Sequence, residues 1–268
     1  MCVPVHDAGP GLAATLRSIV DQDTEIEVVV LDNTGHDETA DIASAFDDPR
    51  LRVVRNAEVL PAGENWNKAV WLSTGRLVKV VRPGELLLPG ALDKQRELMG
   101  DNGIAVCAAR YRRLDAGGRI ERADLGLSNL LGPCDSRALL RTLVWRGAAD
   151  FGPTAAAVFR RRDFDRVGGF RGDLLAAVDV DLFARVCAFG RFFGMAENLA
   201  ARAATPPASG LGELGEALRF HHRMGAEYPE LLGRAIVLGG DLRLARSAVE
   251  RLRLRAARSR RPEPHLNL

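Results

Sequence analysis

No stretch of this 268-residue chain approaches the eighteen or so consecutive apolar residues that a membrane-spanning helix needs, which excludes a helical span. An excess of either charge is also missing. Lysine and arginine total 37 against 35 acids, so the net charge is +2 and nothing global points to nucleic acid. The four cysteines, Cys2, Cys107, Cys134 and Cys187, form no CxxC pair and read as buried free thiols in a reducing cytosol. No GxGxxG follows the first strand, which argues against a dinucleotide site. There is no GxxxxGK[ST] phosphate loop and no GxSxG nucleophile elbow. His221 and His222 stand without acidic or cysteine partners at metal spacing and read as surface residues of a helix. Met1 leads directly into "CVPV" with no signal-peptide pattern, so a cytosolic protein is expected.

What is present is a strong alternation of two periods. The 47% hydrophobic content suits a globular protein with a substantial core. "CVPV" (2–5) reads as a strand, and "LAATLRSIV" (12–20) as a helix with Leu12, Leu16, Ile19 and Val20 on one stripe. "IEVVVLD" (26–32) is nearly all apolar, as in a strand covered on both faces. A helix over 38–46 follows, with Thr34 or Asp37 as its cap. Next come a strand at 51–56, a helix over 63–75 closed by Gly75, a strand at 76–81 and a helix over 89–99. Such alternation implies a doubly wound, mostly parallel α/β sheet with ligands beyond the carboxyl ends of its strands. His6-Asp7, Asp32-Asn33 and the turn Arg82 to Glu85 therefore line one crevice.

Further on, strands are expected at 104–111, 119–124 and 154–161, and helices at 136–146 and 178–190. The second of these helices turns Leu182, Val186 and Phe189 inward, and Asp181 forms a surface pair with Arg185. Trp66 and Trp71 read as core. "ATPPASGLGE" (204–213) reads as a linker. Residues 243–261 hold eight arginines and one glutamate, which fits either a solvated helical face or contact with an anionic membrane surface.

The order of these strand-end groups resembles the family 2 type glycosyltransferases of the GT-A fold. The segments that carry the resemblance are "VPVHDAGPGLAATLRSIVDQDTEIEVVVLDNTGHDETADIA", "GENWNKAVWLSTGRLVKVV", "LLLPGAL" and "VGGFRGDLLAAVDVDLFARVCAFG", over roughly residues 1–200. Each is weak alone, and their order and spacing together are specific. The resemblance implies a GT-A-like domain over 1–203, followed by a basic helical extension over 204–268. It also implies inverting transfer of a sugar from a nucleotide donor, a UDP-sugar being favoured, to a hydroxyl on a glycan or lipid-linked acceptor. The location implied is cytoplasmic, peripheral to the inner face of the membrane through 243–261.

Carried over residue by residue, the resemblance places Pro4 and Val5 at the donor site beside Asp32, which can accept hydrogen bonds from a uracil N–H or a ribose hydroxyl. An Asx turn or a helix cap is the plainer reading of Asp32. Asn65 and Lys68 share a helical face, Lys68 to screen the diphosphate and Asn65 to bond the nucleotide or the turn, while Asn67 points elsewhere. Asp179 occupies the second place of the family's acidic pair and is the candidate general base, with a helix N-cap as its alternative. The first place is Val178.

The family's acidic metal turn falls on Gly84 and Glu85, so Glu85 is the one candidate ligand there for a magnesium or manganese ion. Arg82 offers another way to bind a diphosphate, through a bidentate guanidinium. The plainer reading lets Arg82 lie on the surface and Glu85 cap a helix begun at Leu86. A second departure is Arg202-Ala203-Ala204, where members often carry Arg-x-His. These departures leave open a second class of function, a non-catalytic module that binds nucleotide or glycan or scaffolds an assembly complex.

Overall fold

The computed structural model describes residues 1–9, 11–34, 39–173, 177–204 and 211–259. Strand β1 (Cys2–Val5), helix α1 (Gly11–Val20), β2 (Val28–Asp32), α2 (Thr39–Ser44), β3 (Leu51–Arg55) and α3 (Ala62–Leu72) realise the first alternation. β1 pairs in parallel with β2 and β2 with β3, placing Val5 opposite Asp32 and Asp32 opposite Arg55. After β4 (Leu77–Val78) the chain continues beside β1. Cys2 N donates to Lys79 O at 2.8 Å and Val81 N to Cys2 O at 2.9 Å, a parallel bridge. β1–β3 thus form a three-stranded parallel sheet, and β4 belongs to a second sheet that this bridge at Val80 joins to the first.

The second sheet has seven strands and is mixed. β5 (Glu85–Leu87) leads to α4 (Ala91–Leu98), β6 (Ile104–Leu114), β7 (Ile120–Leu125), β8 (Gly132–Cys134) and α5 (Ser136–Arg146). Then come β9 (Ala157–Arg160), α6 (Arg161–Arg166), α7 (Val178–Val186) and β10 (Arg191–Ala203). Neighbours run β4–β9–β6–β10–β5, with β7 on the edge of β6 and β8 on β10; β6 and β10 are parallel, the other pairs antiparallel.

The elements follow from their side chains. All five residues of β2 are buried, as a strand with helices on both faces requires. Each such aliphatic side chain contributes about 1.5–3 kcal/mol on burial. α1 buries Leu12, Thr15, Leu16 and Ile19; Thr15 takes the place expected of Val20 because its hydroxyl has partners inside. α5 begins where Asp135 accepts from Ala138 N at 2.7 Å, a cap worth about 1 kcal/mol. α3 ends at Leu72, closed by Ser73 and not by Gly75.

Several expectations are corrected. Leu86 lies in β5, antiparallel to β10, and opens no helix. Thr154–Ala156 form a 3₁₀ turn before β9. Phe189 falls beyond α7 and is 45% exposed under the Arg166 guanidinium. Trp71 is exposed, whereas Trp66 meets Phe170 edge-on at 5.3 Å between ring centres. Strand β10 was not foreseen: register shifts against β6 at Met195/Asn198 and Asn198/Ala200 break the period of two that would announce it.

The C-terminal residues form α8 (Leu211–Glu227) and α9 (Arg234–Ser259). Residues 205–210 of the expected linker lie outside the described residues. Phe220, Met224, Leu232 and Val237 enter the main hydrophobic core with Leu139, Leu140 and Leu143 of α5. Gly240 permits this approach, since a Cβ there would sit 2.7 Å from the Val144 side chain. His221 is buried and not a surface residue. Its Nδ1 lies 2.9 Å from Asp241 Oδ1, and His222 Nε2 lies 3.1 Å from Asp241 Oδ2. The acidic partner stands on the next helix, where sequence spacing cannot reveal it.

Candidate active site

The carboxyl ends of β1 and β2 hold two non-glycine residues in the left-handed region, Asp7 at φ 48° and Thr34 at φ 58°. Such conformations are sparsely populated and need surrounding structure to hold them. Pro4 and Val5 are buried in β1. Asp32, also buried, has Oδ2 3.4 Å from Arg55 Nε. Asn33 clamps the following loop: its Oδ1 accepts from Leu60 N (2.8 Å) and Asn56 Nδ2 (2.7 Å), and its Nδ2 donates to Leu60 O (2.8 Å). Asn56 Nδ2 also donates to Asn65 Oδ1 at 2.9 Å, which makes Asn65 part of this amide network. Lys68, half-buried, follows one turn along α3. Thr34 Oγ1 donates to Asn56 O at 3.0 Å, away from any role as a cap of α2; Asp37 lies outside the described residues.

The turn from Arg82 to Glu85 is bound to α1. Gly84 N donates to Thr15 Oγ1 at 2.9 Å, and that hydroxyl donates to Glu85 O at 2.8 Å. The Glu85 carboxylate is buried and heavily engaged. Oε2 accepts from Thr154 Oγ1 (2.7 Å), Ala155 N (3.0 Å) and Arg82 N (3.2 Å), while Oε1 accepts from Arg82 Nε (3.1 Å) and Thr154 N (3.3 Å). Five donors leave little lone-pair capacity for a cation. Gly84 adds no carboxylate, and no group of three metal-ligating side chains occurs among the described residues. The donor set does not fit a carboxylate-held divalent ion, and this corrects both sequence readings of Glu85. It is an internal anchor, neither an open ligand nor a helix cap. Arg82 is half-exposed above it.

Lys79 was overlooked. Buried just after β4, it donates from Nζ to Ala155 O (2.6 Å) and Ala157 O (2.9 Å), and burial pulls its pKa down to about 7. A lone charge inside "LVKVV" was the available signal. Lys79 and Glu85 therefore hold the same 154–157 segment.

Asp179 stands differently. It lies in the first turn of α7, after the N-cap residue Ala177, so it is not the cap. Its Oδ1 accepts from Val180 N at 2.9 Å. With Trp66, Val80, Ala157, Phe159, Phe170 and Phe183 it lines a small, mainly apolar pocket. Burial pushes its pKa up to about 6, against the opposing pull of the Arg82 guanidinium. Val178 is buried as an ordinary core residue.

The loop before α7 is anchored by residues that the sequence reading set aside. Asn67 Nδ2 donates to Phe170 O at 3.0 Å and Phe170 N to Asn67 Oδ1 at 2.7 Å. Gly169, at φ +80°, leaves room for that amide, since a Cβ would come 2.4 Å from Asn67 Oδ1. Asp181 and Arg185 form a buried pair at 2.7 Å and not a surface one, and Arg185 also donates to Val167 O and Gly169 O. Arg202, opposite Glu85 in the β5–β10 register, packs over the Tyr111 ring at 5.3 Å.

Residues 1–168 match the family described as Glycosyl transferase family 2. An uncharacterized protein of Mycobacterium tuberculosis (strain CDC 1551 / Oshkosh), MT1568, is 31% identical over 200 residues, 69% of this chain and 60% of that protein. The succinoglycan biosynthesis protein ExoU of Rhizobium meliloti (strain 1021) is 29% identical over 199 residues, 70% of this chain and 56% of that protein. The chain thus spans little more than half the length of these curated relatives. Among solved structures, residues 1–349 of S. aureus TarS superpose with TM-score 0.67 at 16% identity, covering 91% of this chain and 70% of that one. The mannosyltransferase PcManGT of Pyrobaculum calidifontis, solved with GDP-Man and Mn2+, superposes with TM-score 0.61 at 19% identity, covering 95% and 78%. At these identities the superpositions establish a GT-A-like α/β fold. The chain belongs to glycosyl transferase family 2.

Proposed function

We propose that this protein is an inverting hexosyltransferase that moves a sugar from a nucleoside-diphosphate donor, with UDP-sugars favoured, onto a hydroxyl of a glycan or lipid-linked acceptor during polysaccharide synthesis. Asp179 carries the reading: a carboxyl held near pKa 6, on an apolar pocket and within electrostatic reach of Arg82. The acceptor O–H gives its proton to the Asp179 carboxylate as its oxygen bonds to the anomeric carbon. The bond from that carbon to the diphosphate oxygen breaks, and the nucleoside diphosphate leaves with the electron pair. A single displacement inverts the configuration. Arg82 offsets the charge gathering on the diphosphate, with Lys68 as a second cation on α3. Pro4, Val5, Asp32 and Asn65 form the nucleoside end.

Support for the donor class comes from relatives of the same fold: TarS is solved with UDP-GlcNAc and with UDP, and PcManGT with GDP-Man. The pathway reading leans on ExoU, whose name places that protein in succinoglycan synthesis. The location we propose is cytoplasmic, at the membrane's inner face; among the described residues no helix is long and apolar enough to cross a membrane. Further readings are that the catalytic unit spans 1–203 and that metal dependence is weak.

One observation favours a second reading. Glu85 is consumed by the fold and Gly84 is not an acid, which suits a module that binds nucleotide or glycan without turnover. Transfer and donor hydrolysis across UDP- and GDP-sugars, with and without manganese, separate the two. Turnover of any donor supports the transferase; tight binding with no turnover on any acceptor supports the module.

A further inference from the structure

We propose that the outer face of α9 is a docking surface for an anionic lipid bilayer. The helix is 26 residues long, and its inner side is fixed to the domain by Val237, Gly240 and the bonds from His221 and His222 to Asp241. The opposite side carries Leu238, Leu242, Ala245 and Val249 at spacings of four, three and four, which places them on one stripe. Leu238 is 59%, Leu242 62% and Val249 48% exposed. Trp145 of α5, itself half-exposed, lies where a Cβ on Gly239 would meet its ring at 2.7 Å, so an indole extends the same patch.

The charge beside this stripe identifies its occupant. Arg246 and Arg253, both exposed and two turns apart, flank it on one side, and with Leu242, Ala245, Val249 and Glu250 they line a shallow groove. Over 243–261 the chain has eight arginines and one glutamate. Exposed aliphatic residues edged by arginine, with a tryptophan alongside, are the makeup of a helix that lies in the lipid headgroup layer. The arginines meet lipid phosphates while the apolar stripe enters the acyl boundary. A second copy is the poorer occupant, because stripe-to-stripe pairing sets two strongly positive helices against each other. The inference stands apart from the transfer reading, since none of these residues touches Asp179 or the 82–85 turn.

Flotation of the full chain with vesicles tests it. Vesicles of phosphatidylcholine containing one-third phosphatidylglycerol should carry the protein, and vesicles of phosphatidylcholine alone should not. The double variant Leu242→Asp, Val249→Asp should lower binding by at least about tenfold, as should Arg246→Glu, Arg253→Glu. All substituted side chains are exposed, so circular dichroism and donor turnover should stay at wild-type values. No flotation on the anionic vesicles overturns the proposal. So does binding retained in the Leu242→Asp, Val249→Asp variant, which would show charge alone at work. A dimer seen by light scattering in the wild type and lost in that variant overturns it too, by assigning the face to a second copy.

Discussion

Two acidic side chains, Glu85 on the turn after β4 and Asp179 at the start of α7, stand in opposite surroundings. Glu85 accepts from five donors, is buried, and ties Arg82 to the 154–155 backbone. Asp179 Oδ1 accepts from Val180 N, the side chain lines a mainly apolar pocket, and burial pushes its pKa up to about 6. A carboxylate surrounded by five donors has little lone-pair capacity left for a cation. One facing aromatic walls is poorly solvated and basic enough to take a proton. Both side chains are carboxylates; their surroundings suit one to anchor the fold and the other to the role of base proposed for it.

The largest expected effect is on turnover. Asp179→Asn keeps the shape and removes the proton acceptor, and kcat should fall by about 10²–10⁴-fold with UDP affinity kept. Its folding should not suffer. The folded-state pKa of Asp179 is raised, so its stability contribution is present at low pH and lost as pH rises through about 6. At pH 8 the asparagine variant should therefore melt at or above the wild-type temperature. Normal turnover in this variant would remove Asp179 from the chemistry.

Glu85→Ala should act in the other currency. Arg82, Thr154 and Ala155 lose their acceptor, and each buried donor left unsatisfied costs about 1–3 kcal/mol. Urea unfolding should show that loss; an unchanged midpoint would refute the anchor. Arg82→Ala should weaken UDP binding by about 1.5–3 kcal/mol, the usual worth of a charge-assisted contact, as measured by calorimetry. The smallest effect is expected from chelation, since the turn lacks a free carboxylate. EDTA should reduce UDP affinity by less than about tenfold, and a complete loss would reveal a metal site built from other groups.

Much of this was legible in the sequence. The first four strands, α1, α3 and α5 announce themselves by period, and the strand-end polar groups fall where a doubly wound sheet puts them. What escaped depends on contacts between distant segments. Asn67 looked idle because its partner Phe170 is 103 residues away. Asp181–Arg185 looked like a surface pair because spacing along a helix says nothing of what covers that face, and His221 lacked an acid until α9 supplied Asp241. β10 hid behind its bulges. For Glu85 the sequence named the residue but not its use, since the donors from Thr154 and Ala155 are assembled only by folding.

The pH dependence of kcat/KM for sugar transfer tests most directly whether Asp179 is the open acid of the pair. The active form is its carboxylate, so kcat/KM should be level above about pH 6 and fall tenfold per unit below it. In Asp179→Asn the small residual activity should show no such limb. A limb that survives unchanged in the variant would assign the titration to another group and contradict Asp179 as the base.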